Sequence, residues 1–163
     1  MRLDQIMSDM IFTIIQWTWG FPQTAAGAVL FLRHRNRLGV RHFRWHGASV
    51  TVWKSPASVS LGKFIFLTDD PLYYYPHLRG KISRDEALKQ LLVHEYGHTI
   101  QSLALGPLYL FAVGLPSMLW SRLPRMQKRR RERKISYYSA PFERGANRLG
   151  EIVTGEKSIG EQI

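Results

Sequence analysis

Cysteine is absent from this sequence, which excludes disulfide frameworks and any metal site built on thiolates. Carboxylates are scarce as well: 12 Asp and Glu stand against 23 Lys and Arg, for a formal charge of +11. Also missing is an easy membrane span, which needs about 20 consecutive apolar residues. What remains is a chain of 163 residues, 45% of them hydrophobic. That is enough for one core and incompatible with a disordered chain.

The positive charge is clustered. Arg33, Arg35, Arg37, Arg41 and Arg44 form one group; residues 122–134, with Arg122, Arg125, Lys128 and Arg129–Arg131 among them, form a denser one. Each group follows an apolar stretch, residues 10–32 in the first case and the uncharged segment 103–120 in the second. Apolar segment followed by Lys and Arg is the pattern of a membrane-associated segment with a cytoplasmic anchor on anionic lipid. Nucleic acid would explain the charge but not its tracking of the apolar stretches, so it is not the expected partner. Residues 26–28 (Ala-Gly-Ala) look like a signal-peptidase site. The acidic leader (Asp4, Asp9) and the arginines beyond Leu32 argue that the segment is retained.

Residues 4–35 read as two helical pieces broken around Gly20, Phe21 and Pro22. Together they make an N-terminal apolar anchor. Residues 49–53 alternate like a strand and 58–67 look like a second, with the Lys54–Ala57 break suggesting a hairpin between them. Residues 69–80 read as loop. Ser83 and Glu86 then fit a capping box, and the helix they begin should run to about Leu105, where Gly106 and Pro107 stop it. The expected fold is a single α+β domain over 1–163. It is mainly helical, with a small hairpin or sheet packed on the Ser83 helix and apolar membrane-associated helices added. Its catalytic core is 46–150, with an apolar hairpin at 103–120 and a basic loop at 121–135.

Within the Ser83 helix lies His94-Glu95-Tyr96-Gly97-His98. Spacing of four puts both imidazoles on one helix face, one turn apart, where they can share a metal ion. Imidazole suits Zn2+, and Glu95 is placed to take a proton from a water activated by the metal. A zinc hydrolase needs a third protein ligand and an open position. No histidine follows His98, and the downstream carboxylates are Glu132, Glu143, Glu151, Glu156 and Glu161. Glu132 is inside the basic run, and the last three lie in a glycine-punctuated tail. Glu143 alone falls in a plausible helix, 141–149, with Pro141 near its start and Gly150 at its end. His46 is the fallback ligand.

An HExxH helix followed by Glu143-Arg144-Gly145-Ala146-Asn147 resembles the pattern of gluzincin-type zinc metallopeptidases. The longer strings around it also resemble small, uncharacterised bacterial membrane-associated proteins, over residues 94–120 and 137–150. The resemblance implies that Glu143 ligates zinc and that Asn147 supports a ligand histidine. Such an acceptor fixes the tautomer of the ring. Asn147 is neutral where many relatives carry a carboxylate, so it should raise ligand basicity less. Two histidines and one carboxylate around a divalent ion carry a charge of about +1 and favour deprotonation of water nearby. Glu95 then serves as general base in peptide hydrolysis and returns the proton to the leaving amine. Tyr138 is the expected donor to the developing oxyanion, with Tyr137, His77 and Tyr73–Tyr75 as alternatives. Gln101 continues the histidine stripe and can bond a ligand or substrate.

If 103–120 crossed a bilayer, His98 and Glu143 would start on opposite sides of it and could not share one ion. The segment is therefore expected to dip and return, leaving both basic clusters and the site on the cytoplasmic face, with peptide or protein substrates near the membrane. Two other readings use the same residues. One is a zinc-stabilised membrane or scaffold protein that has no need of Glu95; the other is a nucleic-acid-associated zinc protease that binds DNA through 122–134.

Overall fold

A computed structural model describes residues 3–75 and 78–159. Its organising element is the helix α4 (Arg84–Leu105), whose start is capped by the Ser83 hydroxyl accepting from the Glu86 N–H at 3.1 Å. The other half of the expected capping box is not made, because the Glu86 carboxylate accepts from Gln90 Nε2 at 2.9 Å. Every residue from Gln90 to Thr99 is buried. The helix is enclosed all round, which explains how it can carry three ionisable side chains away from water.

The sheet has four strands, β1 (Arg41–Trp45), β2 (Ala48–Trp53), β3 (Val59–Leu61) and β4 (Phe64–Thr68), in the order β1-β2-β4-β3. The expected hairpin across Lys54–Ala57 is not formed. The chain leaves β2, crosses to the far edge as β3 and returns as β4 between them, so that β2 and β4 run parallel, with Val50 opposite Ile65. Nor is 58–67 one strand. Gly62, at φ +60°, turns β3 back on β4, and a side chain there would meet Thr24 Oγ1 at 2.0 Å. β1 comes from the first basic cluster and pairs antiparallel with β2. All five β4 residues are buried. Ile65 and Leu67 enter the main core with Leu91, Val52 and Leu78, while Phe64 on the opposite face meets Phe31 and Trp17. A strand covered on both faces shows no apolar/polar alternation, as the apolar run Phe64–Leu67 shows, with Thr68 the one buried polar residue at its end.

The N-terminal break falls where it was expected, between α1 (Leu3–Thr18) and α2 (Phe21–His34). The loop at 69–80 contains a four-residue helix, α3 (Pro71–Tyr74), started by Asp70 accepting from the Tyr73 N–H. Past Gly106 the chain bends by 119°. It runs through a 3-10 turn (Gly106–Leu108) and a π-helical turn (Leu110–Gly114) into α5 (Leu115–Arg122). The segment therefore turns back, and among the described residues no single helix is long and apolar enough to cross a membrane. The expected basic loop is a helix, α6 (Pro124–Glu132). Lys and Arg are good helix formers, and Pro124 at the first position costs no backbone bond.

The last helix, α7 (Pro141–Thr154), is longer than expected. Its C-terminus is set by Gly155 in the left-handed conformation rather than by Gly150, which lies inside the helix.

Candidate metal centre

Glycine makes the site possible. Helices α4 and α7 cross so closely that a Cβ on Gly97 would stand 1.8 Å from the Ala146 carbonyl oxygen, and one on Gly150 would stand 2.1 Å from that of Val93. Glu143, Ala146, Asn147 and Gly150 recur at helical spacing and are the buried residues of α7. The small residues at 146 and 150 bring the backbones together, and the polar ones at 143 and 147 are thereby delivered to His94 and His98. Gly97, inside the HExxH string, is thus a packing residue for the crossing.

His94, His98 and Glu143 each offer a ligand atom, and these atoms lie within 4.8 Å of one another. Glu143 Oε2 is 3.2 Å from His94 Nε2 and 3.3 Å from His98 Nε2. On the far side of each ring, Nδ1 meets an amide oxygen: Asn147 Oδ1 at 2.7 Å from His94, and Gln101 Oε1 at 2.8 Å from His98. The Gln101 amide is oriented by its own Nε2, which donates to the Phe142 carbonyl at 2.9 Å. Both Nδ1 atoms therefore carry a proton, and in a neutral imidazole the Nε2 lone pair is left facing the carboxylate. Three electron-rich atoms converge in a buried space with no opposite charge among them. A cation or a shared proton must compensate them.

The titration behaviour follows. Burial alone would raise the Glu143 carboxyl, but its hydrogen bonds with His94 and His98, and their charges, outweigh this and hold it well below the usual carboxylate range. For His98, burial favours the neutral ring, and the contact with Glu143 more than reverses it, so its pKa is raised. The group, with its hydrogen-bonded rings and one carboxylate, can hold a metal ion.

Two residues with no signature in the sequence complete the surroundings. Ser117, on α5, donates to Glu143 Oε1, as does the Tyr137 hydroxyl at 2.9 Å. This leaves Oε2 for the histidines. Ser60, on β3, lies 2.7 Å from both the carboxylate and the backbone oxygen of Glu95 and ties that side chain to the sheet. A lone serine carries no pattern; only the fold shows what it touches.

Tyr138 packs edge-on against the His94 ring, with centroids 5.2 Å apart, and burial, reinforced by Tyr75 beside it, pushes its phenol up. The Tyr75 phenol is pushed up to about 12 by burial, then by the charge of Glu95. Tyr73 is exposed, and His77 lies outside the described residues. His46 is not in the metal group. It occupies the β1–β2 turn, where its carbonyl accepts from Tyr96 and its ring meets Trp45. Glu132, Glu151 and Glu156 are taken up elsewhere, by Lys128, Ser158 and Lys89 respectively. No protein-family model, curated protein or solved structure matches this chain, so its function is read from its own chemistry.

Proposed function

We propose that this protein is a membrane-associated zinc metallopeptidase, with His94, His98 and Glu143 as metal ligands and Glu95 as general base. One observation carries the reading: both histidines turn Nε2 toward a single carboxylate oxygen, at 3.2 and 3.3 Å, while their Nδ1 atoms are engaged by side-chain amides. His94, His98 and Glu143 would hold a zinc ion through these atoms, which lie within 4.8 Å of one another, nitrogen and oxygen being ligands that zinc takes. Two nitrogens and one oxygen, with no thiolate, are the donor set of hydrolytic rather than structural zinc.

Zinc held there supplies a Lewis acid that polarises a carbonyl and brings water toward ionisation near neutral pH. Glu95, directed by Ser60, accepts a proton from the attacking water as its oxygen bonds to the amide carbon. It then delivers that proton to the nitrogen as the C–N bond breaks. Tyr138, kept protonated by its buried surroundings, donates a hydrogen bond to the developing oxyanion. Asn147 and Gln101 hold the rings, and Ser117 and Tyr137 hold the Glu143 carboxylate, so each ligand is fixed by a second residue.

The test is Glu95→Gln. Peptide hydrolysis should fall by about a hundredfold or more, while zinc content stays that of the wild type. Activity retained in that variant would favour a zinc-stabilised protein without turnover. The active site is proposed to face the cytoplasm, beside an anionic membrane surface.

A further inference from the structure

The metal centre is closed. His94, Glu95, His98 and Glu143 are all buried, so no peptide reaches them in this conformation. Part of the cover is the helical arm of residues 106–123, which follows the 119° bend after α4. Its inward stripe is Tyr109, Val113 and Ser117, at intervals of four. Tyr109 and Val113 are buried, and Ser117 bonds the ligand carboxylate. Burial pushes the Tyr109 phenol up, and the charges of Glu95 and Glu143 add to the effect. The arm therefore lies over the centre with hydroxyl groups turned in.

Its outward face is the reverse of a soluble surface. Leu108 is 63% exposed and Phe111 74%, with Leu115 and Met118 beside them. The α1–α2 turn continues this face, because Trp19 packs on Gly106 and Gln23 Nε2 bonds the Gly106 carbonyl at 2.9 Å. Trp19 and Phe21 are themselves about half exposed. Polar groups lie beneath: Gln16, Gln23, Thr24 and Ser102 are buried and hydrogen-bonded to one another or to backbone. Polar inside and apolar outside is the arrangement of a surface solvated by lipid. The flanks supply the charge, with Arg33 in the last turn of α2 and Arg35 just beyond it, Arg122 at the end of α5, and Arg125 and Arg129 on α6, all exposed.

We propose that this face docks on an anionic lipid bilayer and that the 106–123 arm is a lid which the bilayer opens. The inference rests on the metallopeptidase reading above and adds its regulation. In water, swinging this arm out would strand Tyr109, Val113 and Trp120 as well as the outer residues. At a headgroup boundary, tyrosine and tryptophan are favoured and the leucines enter the acyl region, so the open form costs less there. A ligand shifts such an equilibrium only by its differential affinity for the two forms.

The experiment measures transfer of zinc from the loaded protein to a chromogenic chelator, without vesicles, with phosphatidylcholine vesicles, and with vesicles containing phosphatidylserine. Transfer should be about ten- to a hundredfold faster with the anionic vesicles, the factor that burying one further apolar side chain supplies. Phe111→Asp combined with Leu115→Asp should remove the acceleration and leave transfer in vesicle-free buffer unchanged. Flotation with vesicles accompanied by unchanged or slower transfer overturns the proposal. So does a failure to float, including one caused by self-association through this face. Since the chain has no cysteine, maleimide labelling of Ser117→Cys reads the same opening without metal. A chain that takes up no zinc then defeats the peptidase reading alone, while the labelling rate, faster with anionic vesicles or not, still decides this one.

Discussion

The crossing of α4 with α7 and the packing of the N-terminal pair α1–α2 on the far end of α4 are built on opposite rules. At the crossing, two helices approach through Gly97, Ala146 and Gly150 and enclose charged groups, every one of which has a partner. In the N-terminal region, α1 turns Met7, Met10, Ile11 and Ile14 outward and hides Gln16. The first region buries polarity where a metal ion can be held. The second buries it beneath an exposed apolar face. One chain can contain both because α4 belongs to each: Thr99 and Ser102 take the Gln16 and Gln23 bonds, one helical turn beyond His94 and His98.

Substitution distinguishes the two regions. The largest effect is expected at the crossing. Gly97→Leu drives a side chain into the Ala146 carbonyl and should unfold the centre, with loss of metal and several kcal/mol of stability, about 3 or more; thermal melting with metal analysis checks it. Next comes a pair within the 106–123 arm. Val113→Asp places a charge in a buried position and should cost about 3 kcal/mol or more, whereas Phe111→Asp should change detergent-free stability by less than about 0.5 kcal/mol and improve solubility. Equal destabilisation by the two would mean that the outer face is covered by protein.

Smaller changes are expected behind the ligands. Asn147→Ala removes the acceptor at His94 Nδ1 and should weaken metal affinity about 10- to 100-fold, measured by competition with a chelator. Gln101→Ala should do the same through His98. The pH dependence has a definite sign. His98 has a raised pKa in the metal-free protein, and the proton it holds against Glu143 competes with metal. Apparent metal affinity should therefore rise with pH until that raised pKa is passed and level off above it. In the same metal-free protein, the stabilisation that comes from protonated His98 is present below the pKa of an unfolded histidine and lost as pH rises through the raised value. The contribution of Glu143, whose pKa is depressed, is present above the ordinary carboxylate range and lost only in strong acid.

Much of this was legible beforehand, for identifiable reasons. Local signals were reliable: the Ser83 cap, the stop at Gly106 and the break at Gly20 are where the residues put them. Few carboxylates follow His98, which singles out Glu143, and it is the one beside the histidines. Pairing between distant segments was not legible. Nothing in Ser49–Trp53 says that its neighbour will be β4 in parallel rather than β3 in a hairpin, because a period of two marks a strand without naming its partner. Composition also misleads at 124–132, where a charge run suggests loop although its residues favour helix. Gly150 suggests a helix end because glycine commonly is one, whereas here it is one of two points of close contact at the crossing, with Gly97. Ser60 and Ser117 carry no pattern, and only the packing of β3 and α5 beside the site gives them a role.

The most direct test of the central claim is elemental mass spectrometry of the purified protein beside Glu143→Ala. The account predicts about one zinc per chain in the wild type and a clear loss in the variant. A wild type without metal, or a variant that keeps it, would contradict the ligand set.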